Sequence, residues 1–215
     1  MSLKQSLAAV FGAATPAVND QRWVVLDVES SGLDAARDRL LAIAALAVRL
    51  DQGRPAIDLG DSFEVVLKQS VTEIDKPNIL IHGIGVGAQH QGLAPSLALE
   101  AFERFAGTSP LIAFHAAFDQ RLVLRAFQSV LGRTLANPWL DLEPLAAVAR
   151  PDIKAKSLDE WMAVLGIGCA VRHQAAADTM ATAELMLKIW PQAIKQMGSS
   201  RFVAAQRLVA QRRWL

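Results

Sequence analysis

The sequence predicts an α/β domain with a mixed sheet, on three observations. Strand-like runs cluster near the start, strand and helix patterns then alternate, and the final stretch reads as one helix after another. With 215 residues, 52% of them apolar and 20% charged, the chain can bury a substantial core and is too apolar to be disordered. One domain, or one domain with helical extensions, is expected.

The elements follow in order. "LKQSLAAVFGAATPAV" is too short and too polar in its apolar part for a secretory leader, so a helical extension is expected over residues 1–20. "RWVVLDVES" is a first strand, ended by the turn "SGLD". "RLLAIAALAVRLDQG" is rich in helix-favouring alanine, yet its short, turn-bounded apolar run suits a buried strand paired with the first. "DSFEVVLK" alternates as a third strand. "PSLALEAFERFAG" is an amphipathic helix with Pro95 at its start, Gly107 at its end, and Leu97, Ala98, Ala101, Phe102 and Phe105 along one face. "SPLIAF" is a strand, "FDQRLVLRAFQSVLG" a helix and "WLDL" a short segment. Helices follow in "EPLAAVAR", in "SLDEWMAVLGI" with a Ser157–Glu160 capping box, in "HQAAADTMATAELMLKIW", and near Ser200 to Trp214. The main domain is therefore placed over 21–192, with a basic C-terminal helix over 193–215 packed on it.

Charge and cysteine content narrow the function classes. From Met186 to Leu215 there are six Lys or Arg and no Asp or Glu; that tail carries +6, and the rest of the chain, at +1 overall, carries −5. A basic helix on an acidic body can attract phosphates, although a solvated helix face explains the same charges. The single cysteine, Cys169, allows no intramolecular disulfide and points to a reducing cytoplasm. No apolar run approaches the roughly 18 residues that cross a bilayer, so no membrane partner is expected.

Three constellations carry chemistry. Asp27 interrupts the apolar run of the first strand and Glu29 follows it. Side chains two apart on a strand share a face, so both carboxylates project together near its C-terminal end. Such a pair is costly to bury and either shares a proton or binds a cation. For oxygen ligands, Mg²⁺ or Mn²⁺ is the usual partner. Asp-x-Glu is common by chance; its setting inside a strand, followed by Ser30-Ser31-Gly32, gives it weight. In "IAFHAAFD" a strand feeds a helix with Asp119 in the first turn, where a carboxylate also simply complements the helix dipole. In "HQAAAD", His173 and Asp178 lie five apart, about 140° around a helix. They converge only if His173 sits on the loop ahead of the helix and Asp178 within it. Taken singly, His173 reads equally as a surface or capping histidine.

Taken together, "DVESSG", "HAAFD" and "RHQAAADTMAT" resemble, in order, the three motifs of the DnaQ-like exonucleases, in the DEDD branch with a catalytic histidine (DEDDh). That family includes the proofreading epsilon subunit of bacterial DNA polymerase III. "IHGIG", with His82, resembles the family's HGI element between the first two motifs. The resemblance runs from about Trp23 to Trp190. It implies a ribonuclease-H-like fold: a mixed five-stranded sheet, three strands antiparallel and two parallel, flanked by helices. It also implies that Asp27, Glu29, Asp119 and Asp178 hold two Mg²⁺ or Mn²⁺ ions while His173 activates water, releasing nucleoside 5′-monophosphates from a single-stranded nucleic-acid 3′ end.

General chemistry agrees with that reading. Paired ions stabilise both the attacking and the leaving oxygen of an in-line phosphoryl displacement. Without them four carboxylates repel the phosphate, so activity is expected to require metal. An imidazole is suited to taking a proton from water near neutral pH. Ser30, Ser31 and Gly32 are placed to meet the terminal nucleotide, and Leu33 and Phe118 to pack or stack on its base. Ordinary core packing is the alternative for Leu33 and Phe118.

The chain departs from the family pattern in places. Ser30 and Ser31 stand where two threonines are usual, which keeps the hydroxyls. Phe114-His115 stands where His-Asn is common, so His115 replaces an amide near the scissile phosphate or is a strand-end packing residue. No clamp-binding motif of the epsilon type follows the third motif. That favours a stand-alone or accessory enzyme over a replicative subunit, with polymerase association left open. Recognition of the sugar 2′-OH is not legible, so an RNA 3′–5′ exoribonuclease stays as the alternative to a DNA enzyme. A non-catalytic nucleic-acid-binding module of the same fold is the alternative to an enzyme. A dinucleotide-binding loop at Gly83, Gly85 and Ala88, with Glu103 beyond, needs a helix opening inside the loop, whereas "QHQGLAP" reads as irregular.

Overall fold

The structure, a computed structural model, describes residues 17–70 and 83–212. Of the helical extension expected over residues 1–20, residues 1–16 lie outside the described residues, as do His82 and Arg213, and residues 17–20 form no helix.

Strands β1 (Arg22–Ser30), β2 (Leu40–Asp51), β3 (Arg54–Val66), β4 (Leu111–Ala113) and β5 (Trp139–Asp141) form one sheet in the order β3-β2-β1-β4-β5. The first three are antiparallel neighbours; β4 and β5 run parallel to β1. The alanine-rich β2 is a strand because both its faces are covered: from Leu40 to Leu50 only Arg49 is exposed. Such two-sided burial selects a continuous apolar run rather than an alternating one. The third strand is longer than its sequence suggested. It begins at Arg54, and the register slips between Leu46 and Ala47, so that Leu46 faces Ser62 while Ala47 faces Asp58.

Helices α1 (Val86–Gln91), α2 (Pro95–Ala106), α3 (Ala117–Leu131), α4 (Leu142–Ala149), α5 (Leu158–Leu165), α6 (Ala175–Met197) and α7 (Phe202–Arg212) complete the described chain. The expectation of an irregular "QHQGLAP" is corrected: Val86–Gln91 winds one short helix before Gly92. The dinucleotide reading gains nothing from it, since β3 ends at Val66 and no described strand feeds Gly83. Helix α6 continues past Trp190, through Pro191, to Met197. Ile189, Trp190 and Ala193 are buried on both sides of the proline, so tertiary packing outweighs one missing backbone donor.

The period of two along β1 divides the core. Val24, Leu26 and Val28 pack with Leu99, Phe102 and Phe127 of α2 and α3. Trp23 and Val25 pack on the other face with α4 to α7. There Trp23 meets Trp190 and Phe202 edge-on, with ring centroids 5.4 and 5.3 Å away. Such pairs contribute about 0.5–1.5 kcal/mol each beyond burial. They pin the end of α6 and the start of α7 to the beginning of β1. The basic C-terminal helix is thus anchored at the end of β1 opposite Asp27 and Glu29.

Candidate active site

The same parity puts Asp27 and Glu29 on the face that α6 covers. Their direct cross-strand neighbours on β2 are Ala44 and Ala42, so nothing bulky stands beside either carboxylate. Alanines on α6 and the hydrogen bond from Thr179 Oγ1 to the Ala44 carbonyl (3.2 Å) bring the helix close against β2. Beyond Val25 the short strand β4 no longer pairs with β1, since the register covers only Val24–Leu111 and Val25–Ile112. The first turn of α3 fills that gap. Asp119, 5% exposed, accepts a hydrogen bond there from the Val28 N–H. The carboxyl ends of parallel strands beside a crossover are where α/β sheets present ligand sites.

His173 and Asp178 take the arrangement that their spacing demands. His173 is exposed on the turn before α6, at φ +61°, and Asp178 is buried in the helix's first turn. The His173 N–H donates to Asp178 Oδ2 at 3.1 Å. One backbone contact thereby fixes the geometry between the pair.

Four carboxylates thus feel one another at one end of the sheet. Burial holds the Asp27 carboxyl well above the ordinary aspartate range, and the charges of Asp119, Glu29 and Asp178 push it the same way. Glu29 is pushed up to about 8, first by burial and then by Asp178, against the Ala175 N–H that it accepts. Burial pushes Asp119 up to about 7, against the Val28 N–H. A cluster that resists ionisation in this way is compensated by protons or by cations.

Two residues that the sequence reading passed over belong to this neighbourhood. Arg172 bridges Asp159 on α5 and Asp178 on α6, and so supplies the cluster's own counter-charge. Its signal in the sequence was a basic residue immediately before His173. Asp141, at the end of β5, caps α4 by accepting the Glu143 N–H (3.1 Å) and also accepts the His115 N–H (2.9 Å). Its charge adds to the pressure on Asp119. An Asp between a strand and a helix, in "WLDL", was the available signal.

The expected substrate contacts are placed as follows. Ser30 Oγ donates to the Gly32 carbonyl, and Ser31 Oγ donates to Asp38 (2.9 Å). A Cβ on Gly32 would lie 2.5 Å from the Asp38 carboxylate, so a larger residue there would displace that side chain from Ser31 and the Asp34 N–H. Leu33 is 97% exposed, which removes core packing as its explanation. Phe118 is half-buried against the α2–α3 core. His115 is exposed at φ +57°, its ring 4.6 Å from that of Phe114.

The residues present fit a divalent cation. Glu29 Oε1 is buried and has no hydrogen-bond partner, which is costly for a carboxylate oxygen unless an ion meets it. The remaining donors are hard carboxylate oxygens, as Mg²⁺ and Mn²⁺ prefer. Among the described residues no three His, Cys, Asp or Glu side chains are already arranged as a ready metal site, and Arg172 holds Asp178 Oδ1. An ion held by Asp178 Oδ1 would take the place of the Arg172 guanidinium there.

Comparison with known proteins accords with this geometry. Residues 24–186 match the exonuclease (RNase_T) family. The chain is 33% identical over 195 residues to a DNA polymerase III subunit epsilon-like protein of Rhodobacter capsulatus, covering 89% of this chain and 27% of that protein. It is 31% identical over 169 residues to the PolC-type DNA polymerase III of Clostridium perfringens, covering 78% of this chain and 11% of that one. The chain thus spans about a quarter or less of these relatives. Among solved structures, the zinc-bound complex of E. coli exonuclease I with single-stranded DNA superposes with a TM-score of 0.67 at 18% identity, over 83% of this chain and 43% of that one. The complex of the same enzyme with a dT13 oligonucleotide gives 0.66 at 16% identity, over 87% and 45%. The fold is ribonuclease-H-like, and the chain belongs to the exonuclease (RNase_T) family, of the DnaQ-like kind.

Proposed function

We propose that this chain is a metal-dependent 3′–5′ exonuclease that releases nucleoside 5′-monophosphates from single-stranded DNA 3′ ends, acting in the reducing cytoplasm as a stand-alone or accessory enzyme. The observation that carries the proposal is the gathering of Asp27 and Glu29 from β1, Asp119 from α3 and Asp178 from α6 into one mutually repelling cluster. When bound there, two Mg²⁺ or Mn²⁺ ions supply charge stabilisation for the attacking and leaving oxygens. His173, exposed beside Asp178, accepts the proton of the attacking water at its imidazole. Asp178 and the His173 N–H fix where that imidazole begins. The Ser30–Gly32 turn seats the terminal nucleotide, Leu33 gives its base an apolar contact, and His115 and Phe118 flank it from the start of α3. Preference for DNA is supported by relatives named for DNA polymerase III and by a structural neighbour solved with dT13. A cation site is supported by a neighbour solved with zinc. Residues 21–192 form the exonuclease domain in this reading, with α7 packed on it.

Matched DNA and RNA oligonucleotides labelled at either end, digested with Mg²⁺, Mn²⁺ or EDTA, test it. The 3′ label leaves first as a mononucleotide and the 5′ label shortens as a ladder, on DNA faster than RNA, and only with metal. Release of the 5′ label first, or equal digestion in EDTA, overturns the proposal. Faster digestion of RNA replaces the substrate and keeps the mechanism.

A further inference from the structure

A hollow of about 160 Å³ lies between α3, the start of α2 and the neighbouring ends of β2 and β3, lined by Arg39, Leu40, Gln69, Leu122, Arg125 and Ser129 among others. Among the described residues no carboxylate pairs with Arg39 or Arg125. The nearby acids are engaged within their own turn. Asp38 accepts from Ser31 Oγ (2.9 Å) and the Asp34 N–H (2.8 Å), and Asp34 accepts from the Ala36 N–H (2.8 Å) and meets Arg37. Arg125 donates its Nε–H to the Ala35 carbonyl (3.1 Å), which fixes the guanidinium against that turn. One helical turn before it, Arg121 is exposed on the same side of α3. Like charges at that spacing repel, so the fold keeps a row of cations with no acidic partner.

The hollow is tied to the turn proposed to seat the nucleotide. The Ser31 N–H donates to the Arg39 carbonyl (2.9 Å), and the Arg39 N–H donates to Ser31 Oγ (2.9 Å). Along α3, Arg125 follows Asp119 by six residues, about 9 Å along the helix axis and about 120° around it. That axial distance is two or three stacked nucleotides at about 3.4 Å each. Arginine presents a planar fork of donors matched to phosphate oxygens. We infer that Arg39 and Arg125 form a phosphodiester-binding site for the strand two or three nucleotides upstream of the 3′ terminus, with Arg121 extending it. This rests on the exonuclease reading for the direction of the strand.

The test is fluorescence anisotropy of a 5′-labelled oligothymidylate whose 3′ linkages are phosphorothioates, titrated with full-length protein at several salt concentrations. Each phosphate contact on a single strand contributes about 0.7 to the slope of log K against log salt. Arg39→Gln lowers the slope by about 0.7 and Arg39→Gln with Arg125→Gln by about 1.4. Arg104→Gln, at an exposed position nine residues along α2 from Pro95, leaves it unchanged. A wild-type slope in Arg39→Gln overturns the inference, and so does an equal fall in Arg104→Gln. Arg39→Gln decides the matter even if loss of the Arg125–Ala35 bond unfolds the double variant. Digestion of the same strand with ordinary linkages reports the exonuclease reading separately, because the slope is read whether or not the strand is cut.

Discussion

Replacing Asp119 by asparagine is expected to stabilise the metal-free protein at high pH while disabling it. Asp119 is 5% exposed, and its carboxyl is pushed from the ordinary 3.8 up to about 7, chiefly by burial. An unfolded aspartate releases its proton near 3.8 and the folded one near 7. Between those values the folded state binds more protons, so stability falls as pH rises, and the loss is complete above about pH 7. At about 1.4 kcal/mol per pH unit, the ionised carboxylate costs the metal-free fold about 4 kcal/mol. The amide carries no charge and keeps an oxygen for the Val28 N–H. Its own buried NH₂ returns about 2 kcal/mol of cost. The remaining gain of about 2 kcal/mol raises Tm by about 4–8 °C for a chain of this size. Thermal unfolding followed by circular dichroism in EDTA, at pH 5 and pH 9, measures it. The gain is expected at pH 9 and absent at pH 5. In excess Mg²⁺ the order reverses, because the wild type gains by binding the ion and the variant loses a ligand. An equal Tm difference at both pH values, or none at pH 9, would refute the burial argument.

Two further outcomes follow from the same geometry. His173→Asn, which tolerates the left-handed backbone at φ +61°, lowers turnover of a 3′-labelled strand by about 10²–10⁴-fold with an unchanged circular dichroism spectrum; wild-type turnover removes His173 from the proton transfer. Arg172→Ala strips Asp178 of its charged partner and costs about 2 kcal/mol, or about 4–8 °C of Tm in EDTA, which Mn²⁺ restores; Asp159→Asn, at the exposed end of the same bridge, costs much less.

How far the sequence foretold the site depended on local against tertiary causes. Asp27 and Glu29 sharing a face follows from strand parity alone, and the His173–Asp178 geometry follows from helix parity. The cross-strand Ala42 and Ala44 that leave those carboxylates room depend on the register between β1 and β2, which no local pattern encodes. The Arg172 bridge joins α5 to α6, and the Asp141 contact joins β5 to the start of α3. Both need the whole fold. Pro191 misled local reading, because a breaker residue predicts interruption while packing around Trp190 sustains the helix; in "QHQGLAP", Gln89–Gln91 is the end of a helix that stops at Gly92. The basic tail's charge was legible, but its anchorage beside Trp23, away from the carboxylates, was not.

On the proposed reading, the raised carboxylates of Asp27, Glu29 and Asp119 are compensated by bound cations. Calorimetric titration of EDTA-stripped protein with Mn²⁺, at pH 7 and pH 9 in buffers of differing ionisation enthalpy, measures this. Ligands must be ionised to bind, and Glu29 ionises only at about 8. Two ions per chain with proton release at pH 7, and with little release at pH 9, is the expected result. Absence of binding, or binding at pH 7 without proton release, would contradict it.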